Sequence, residues 1–336
     1  MKHNLFIGFF PTGDINAASS RIRIYSLLPS LDAIGVNYTL KIALRNITRM
    51  DVIFIQKRVN KKVLTYARLA KLLGKTIIYD IDDLGPHMWY FLTEKHFKKI
   101  LRLVDIITVG SPAQKEFLES EYGKTNIVVL PCTVDYFPEK PVRNDERADK
   151  TLRLLWFGGI QNFHMFERYL DALKNVPMSK ILVITTNHQI DQLQSKYPFI
   201  DFKIWTLDTF LTNLRSCDLS ILSHEGSNQD RAKTNNKMIA SITWGVPALV
   251  SKTPDYEATA NEAEIGDAVF SSEEELLQKI EQFRSSIARE NYLDKAQPII
   301  WSKYSPTTIS KLLLIICSSF SPMKFLNRLR NVFLSM

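Results

Sequence analysis

Lys233-Thr234-Asn235-Asn236-Lys237-Met238-Ile239-Ala240-Ser241-Ile242-Thr243-Trp244-Gly245-Val246-Pro247-Ala248-Leu249-Val250-Ser251 runs from a polar segment with two lysines through a short helix, a Gly-x-Pro stop and an apolar strand. Helix N-termini leave unpaired amide N–H groups and a positive dipole end, so they attract anions. Lys233 and Lys237 stand just before and on the first turn, where their charge opposes the dipole. A plain solvated face is the alternative, but it would more naturally put Asp or Glu there; the ligand expected is a phosphate, most simply a diphosphate. A helix that passes at once into a buried-type strand is also the alternation of a parallel α/β sheet.

The same alternation extends in both directions. Towards the N-terminus, apolar strands are expected at Leu5–Phe9, Asn37–Leu40, Asp51–Gln56, Thr76–Asp80, Asp105–Val109 and Asn126–Leu130. Amphipathic runs at Ser20–Ile34, Asn60–Leu73 and Pro112–Tyr122 separate them. Pro131, Pro138 and Pro141, in a stretch crowded with charge, then break the pattern as a linker does. It restarts with strands at Leu152–Phe157, Lys180–Thr185, Phe202–Trp205, Leu219–Ser223, Ala248–Ser251 and Ala268–Phe270. The fold class expected is α/β, with two doubly wound Rossmann-like domains facing a cleft. Residues 1–130 would form the first domain, 131–150 the linker, 151–304 the second domain and 305–336 the C-terminal helices. Ligands of such sheets bind at the strand C-terminal ends.

Composition limits the partners. The chain has 336 residues, 45% hydrophobic and 23% charged, which is ordinary for a globular protein and enough for two cores. A net charge of +8 favours anionic partners. With no zinc-finger spacing and no RNA-binding aromatic signature, nucleic acid is not expected. Three scattered cysteines, Cys132, Cys217 and Cys317, argue for a reducing, cytoplasmic setting rather than a disulfide framework. In the tail, Met323, Phe325, Leu326, Leu329, Val332, Phe333 and Met336 fall near one helical face, with Lys324, Arg328 and Arg330 largely off it. This reads either as an anchor at an anionic membrane surface, peripheral at the inner face of the plasma membrane, or as a helix docking on the first domain.

Four segments together resemble the two-Rossmann GT-B glycosyltransferases, most closely the bacterial group 1 (family 4-like) enzymes of sugar-polymer synthesis. Lys233-Thr234-x-x-Lys237 with Gly245-x-Pro247 and Pro254-x-Tyr256 is similar to their donor-site helix and following loop. Val128 to Phe137 is similar to their interdomain signature, Trp156-Phe157-Gly158-Gly159 to the glycine loop, and Ser19-Ser20-Arg21-Ile22-Arg23 to the acceptor-side helix start. The resemblance implies a hexosyltransferase-type enzyme that takes a sugar from a nucleotide-diphosphate sugar to a glycan or lipid-linked acceptor in surface polysaccharide synthesis. The nucleotide sugar is a co-substrate, and no cofactor or essential metal is expected. Two departures are visible. Ala232 and Ala240 stand where many members carry glutamates, leaving donor recognition to another group such as Glu225. Ile160-Gln161-Asn162-Phe163 supplies no cation after the glycines, so Arg231, Lys233 and Lys237 would carry that charge. A non-catalytic nucleotide-sugar-binding partner of a glycan assembly complex, or a nucleotide-sugar epimerase, are the alternatives.

The candidate residues follow. Gly158 and Gly159 would let backbone amides approach phosphate, or form a plain tight turn. Thr234 and Asn236 flank the lysines at the helix start. Asp82 and Asp83, past the strand Thr76–Asp80, would act as general base towards the acceptor, cap the next helix, or hold a metal. Ser20, Arg21 and Arg23 would bind an acceptor phosphate, or the arginines would be exposed helix residues.

Overall fold

The computed structural model describes residues 5–82, 84, 93–144, 150–186, 190–224 and 232–319. The chain divides into two compact units. One comprises Met1–Thr133, Ala232–Thr234 and Pro306–Met336, and the other Val134–Arg231 and Asn235–Ser305.

The first unit is built on a six-stranded parallel sheet of order β2-β1-β3-β4-β5-β6. Its strands are β1 (Phe6–Phe10), β2 (Asn37–Thr39), β3 (Val52–Gln56), β4 (Thr76–Ile81), β5 (Ile106–Val109) and β6 (Ile127–Val129). β3, β4 and β5 are buried at every residue, as expected of parallel strands covered on both faces. The run expected as one helix over Ser20–Ile34 is broken into α1 (Ala18–Arg23), a 3-10 turn at Tyr25–Leu27 and α2 (Leu28–Ala33). Pro29 sits in the first turn of α2, where its missing N–H costs nothing. α3 (Lys61–Leu72), α4 (Glu94–Leu103) and α5 (Pro112–Tyr122) begin at the caps Asn60, Thr93 and Ser111, whose side chains accept amides of the first turn.

The second sheet has order β12-β11-β10-β7-β8-β9 and is also parallel. It contains β7 (Leu152–Gly158), β8 (Ser179–Thr185), β9 (Ile200–Ile204), β10 (Leu219–Leu222), β11 (Ala248–Ser251) and β12 (Val269–Phe270). Between and after them run α6 (His164–Glu167), α7 (Leu170–Leu173), α8 (Ile190–Lys196), α9 (Leu207–Arg215), α10 (Asn236–Thr243), α11 (Pro254–Glu262), α12 (Glu273–Gln282) and α13 (Ser286–Tyr304). β7 is central, and its C-terminal end meets Gly158 and Gly159.

Two features at the sequence margins are explained by packing. α14 (Pro306–Ser319) inserts Ile309, Leu313, Ile316 and Cys317 among Phe9, Phe54, Ile78 and Ile106 on one face of the first sheet. Ser310 Oγ donates to the Leu27 carbonyl at its inner side. The basic tail from Met323 onward lies outside the described residues. Residues 134–144 of the linker segment belong to the second unit, where they serve the open end of α10. Val142 N donates to the Thr243 carbonyl (2.8 Å) and Asn144 Nδ2 to that of Gly245 (3.2 Å). Gly245 has φ +81°, and a Cβ there would meet the Val142 carbonyl at 2.8 Å, so only glycine fits. Among the described residues no helix is long and apolar enough to cross a membrane.

Candidate functional site

The C-terminal ends of both sheets carry a feature that protein interiors normally avoid. Among the described residues, Gln56 Nε2, Thr185 Oγ1 and Ser223 Oγ are buried without a hydrogen-bond partner, and buried Asp82 Oδ1 has no hydrogen bond beyond its ion pair with Lys57. All four stand at, or just past, the C-terminal ends of β3, β4, β8 and β10. Ser26 Oγ and Thr243 Oγ1, in helical turns, are in the same state. Buried polar atoms are nearly always paired, and an orphan costs about 1–3 kcal/mol. A concentration of such atoms at the strand ends where α/β sheets bind ligands points to polar ligands there.

In the second unit the geometry centres on Gly158. A Cβ at that position would lie 2.9 Å from the Lys237 ammonium and 3.2 Å from the Trp156 ring atoms Cζ2 and Cη2. Lys237, in the first turn of α10, therefore holds its charge against the turn after β7, with its Nζ 5.6 Å from the centre of the Trp156 ring. The side chain of Gln161 folds over Gly159 at 2.5–2.8 Å from where its Cβ would be. Thr185 pairs with Gly158 across β7 and β8, and Ser223 follows β10 on the other side. Two orphan hydroxyls thus flank the glycine turn. Asn236 and Lys237 are half-buried at the head of α10.

The cap of α10 is unusual. Asn235 makes no side-chain cap; its amide N donates to Asp255 Oδ2 (2.7 Å) and its Nδ2 to Thr259 Oγ1 (2.8 Å). Burial pushes the Asp255 carboxyl up to about 6, against the pull of the Asn235 amide. Ala240 faces the core with 2% of its surface exposed. His224 N donates to Ser251 Oγ (2.7 Å), and its ring lies 5.5 Å from that of Tyr256. Glu225 and Arg231 lie outside the described residues.

Lys233 and Thr234 are half-buried and belong to the first unit with Ala232. The Ala232 carbonyl accepts from Gln114 Nε2 (2.8 Å), and Thr234 sits against Gly110 and Cys132. The same Gln114 amide donates to the Asp82 carbonyl (2.9 Å), while its oxygen accepts from Gly110 N (2.7 Å).

Around β1, β3 and β4 of the first unit, the arginines differ from the sequence expectation. Arg23, expected at an acceptor phosphate or exposed on a helix, is 2% exposed. Its Nε and Nη2 grip both oxygens of Asp80 at 3.1 and 2.5 Å, and its Nη1 donates to the Leu130 carbonyl. Burial alone would lower the Arg23 pKa, but the Asp80 carboxylate raises it, so the guanidinium stays charged. Asp80 also accepts from Thr108 Oγ1 (2.7 Å). Arg21, equally buried, donates to the Ile15 and Asn16 carbonyls and holds the preceding loop. Ser20 Oγ accepts from Gly13 N and donates to Gln56 Oε1, both at 2.9 Å. Ser20 and Arg21 bond the loop after β1 and Arg23 bonds Asp80 on β4 and Leu130 past β6, so none of the three is an exposed cation or hydroxyl.

The residue that sequence reasoning missed here is Lys57. It follows β3 with φ +53°, a strained conformation for a lysine, and is 6% exposed. Its carbonyl accepts from Tyr79 Oη (2.8 Å), its Nζ donates to Ser19 Oγ (3.3 Å), and it lies 3.7 Å from Asp82 Oδ1. Asp82 is half-buried at the end of β4; Asp83 lies outside the described residues. Among the described residues no group of three His, Cys, Asp or Glu side chains is arranged to hold a metal.

No protein-family model matches the chain, and no curated protein matches it in sequence. Solved structures do. Anabaena Alr3699/HepE, determined with UDP and glucose, has a TM-score of 0.69 at 12% identity, covering 95% of this chain and 100% of that one. A glycosyltransferase from Rickettsia africae ESF-5 has a TM-score of 0.65 at 10% identity, covering 95% and 99%. TarM has a TM-score of 0.60 at 12% identity over 79% of this chain and 54% of its own length. Two six-stranded parallel sheets, each with helices packed on its strands, and this similarity along nearly the whole chain show that it has the GT-B fold of glycosyltransferases.

Proposed function

We propose that the chain is a glycosyltransferase that takes a sugar from a nucleotide-diphosphate sugar held by the second unit and passes it to an acceptor on the first. The observation that carries this reading is the Lys237 ammonium set against Gly158, at the joint between β7 and the N-terminus of α10. Transfer breaks the bond between the sugar carbon and the phosphate oxygen, forms a bond from that carbon to an acceptor hydroxyl oxygen, and releases one proton. The leaving diphosphate gathers negative charge, which a cation and the N-terminal amides of a helix stabilise without reorganising. The proton passes to a carboxylate, and Asp82, just past β4, or Asp83, next to it in sequence, is the candidate to take it. In this reading Lys237 and Lys233 supply the charge that a metal ion provides elsewhere.

The UDP complex of HepE makes UDP the first donor nucleotide to test. For the acceptor we favour a glycan or lipid-linked sugar, as the resemblance to polymer-forming enzymes implies, with the basic tail holding the enzyme at an anionic membrane face. A thermal-shift screen of UDP, GDP, ADP, CDP and dTDP and their sugars tests the donor reading. A ligand at about 100 times its Kd adds roughly 2.7 kcal/mol of stability. One nucleotide should raise Tm by several degrees in the wild type and much less in Lys237→Ala. If none of the five moves Tm, the proposal fails.

A further inference from the structure

Trp156 lies on β7, 1% exposed, stacked on Phe166 at 5.9 Å and edge-on to Phe163 at 5.6 Å. A core position of this kind needs an apolar ring, which phenylalanine or tyrosine would supply. What distinguishes the site is its other neighbour, the Lys237 ammonium over the ring at 5.6 Å. Indole has the strongest quadrupole of the aromatic side chains and attracts a cation more than phenylalanine does. Lysine is a flexible chain with three rotatable donors, and it loses rotamer freedom when a ligand fixes it. An ammonium already seated before the ligand arrives avoids most of that loss.

We propose that Trp156 is a positioning residue of the donor site, its indole face seating the Lys237 ammonium at the Gly158 turn where the diphosphate is held. The ring acts from both directions. Its face attracts the ammonium, and its edge, 3.2 Å from the Cβ position of residue 158, closes the space on the far side of the turn. A side chain at 158 would press on both, so Trp156, Gly158 and Lys237 form one contacting set drawn from β7 and α10. The inference rests on the donor reading above and adds to it the residue that orients the cation.

The test is isothermal titration of the full chain with whichever of UDP, GDP, ADP, CDP and dTDP binds most tightly, and with its parent nucleoside. Trp156→Phe should weaken the diphosphate by about 3- to 30-fold, and Trp156→Leu by more, while the nucleoside affinity holds within about twofold. In a Lys237→Met background Trp156→Phe should change nothing further, because the cation it seats is gone. Phe166→Leu is the control for a purely structural role. It loosens the same aromatic stack without touching Lys237, so it should lower Tm and leave the diphosphate Kd within about twofold. Unchanged diphosphate affinity in both Trp156 variants, additivity with Lys237→Met, or an equal loss in Phe166→Leu would overturn the inference while leaving the donor reading standing. Absence of diphosphate binding in the wild type would remove the donor reading, and this inference with it.

Discussion

Replacing Gly158 by alanine is the sharpest probe of the donor geometry, because the structure says where the added methyl goes. It would sit 2.9 Å from the Lys237 Nζ and 3.2 Å from two Trp156 ring atoms. The ring is locked in the core, so the ammonium, at the end of a flexible chain, is the group that yields. The fold should lose only about 1 kcal/mol, the low end for overpacking. The ligand loses more. Restoring ordinary contact moves the ammonium by ~0.8 Å; a unit charge moved from ~3 to ~3.8 Å from a phosphate oxygen, at an effective dielectric of ~20, loses about 1.2 kcal/mol of attraction, or roughly sevenfold in Kd. Gly159→Ala is the matched comparison, since its methyl meets first the pliant Gln161 side chain and should cost far less. Titration calorimetry with the nucleoside diphosphate reads both variants against wild type. A folded Gly158→Ala protein that binds within about twofold of wild type would show that Lys237 does not work from this position, since distant or independent changes alter affinity by no more than that.

The remaining predictions concern buried charge. Arg23→Met leaves Asp80 buried without its cation and should destabilise the first unit by about 3–5 kcal/mol, read as the loss in a urea titration; adding Asp80→Asn should recover much of it, and a silent single variant would contradict the pairing. Asp255 has a carboxyl raised to about 6 by burial, so the native state binds its proton more tightly than the unfolded chain does. Its contribution to stability is full below about pH 4 and is lost as pH rises through about 6. From the ordinary value of 3.8 that loss is about 3 kcal/mol. Asp255→Asn keeps an acceptor for the Asn235 amide without the charge, so the fall in Tm between pH 4 and pH 7.5 should shrink; an unchanged pH profile would count against it.

Much of the fold was legible because parallel strands buried on both faces advertise themselves as apolar runs. Each of the twelve expected strands appears within a few residues of its place. The expected runs opening at Asn60 and Pro112 coincide with the starts of α3 and α5, where Asn60 caps one helix and Pro112 opens the other. The break at Ile24 within the expected helix over Ser20–Ile34 was not legible, since the sequence there has helical spacing. The interruption comes with Arg23 turning inward to Asp80, a residue far along the chain.

The site divides in the same way. Residue types and order placed Gly158 after a strand and Lys237 on the first turn of a helix, because glycine turns and helix ends are local features. Nothing local shows that the Lys237 ammonium meets the face of Trp156, that Lys57 is buried beside Asp82, or that Arg21 and Arg23 serve the loop and core of the first unit. The same arginine is a surface charge or a core ion pair according to what the sheet brings beside it, and that pairing spans 57 residues between Arg23 and Asp80. Sequence by itself determined the alternation of strands and helices, since hydrophobic periodicity acts over a few residues. Tertiary structure alone decided which charges are buried, paired or aimed at a ligand, because desolvation and Coulomb attraction depend on distances that only the folded chain sets.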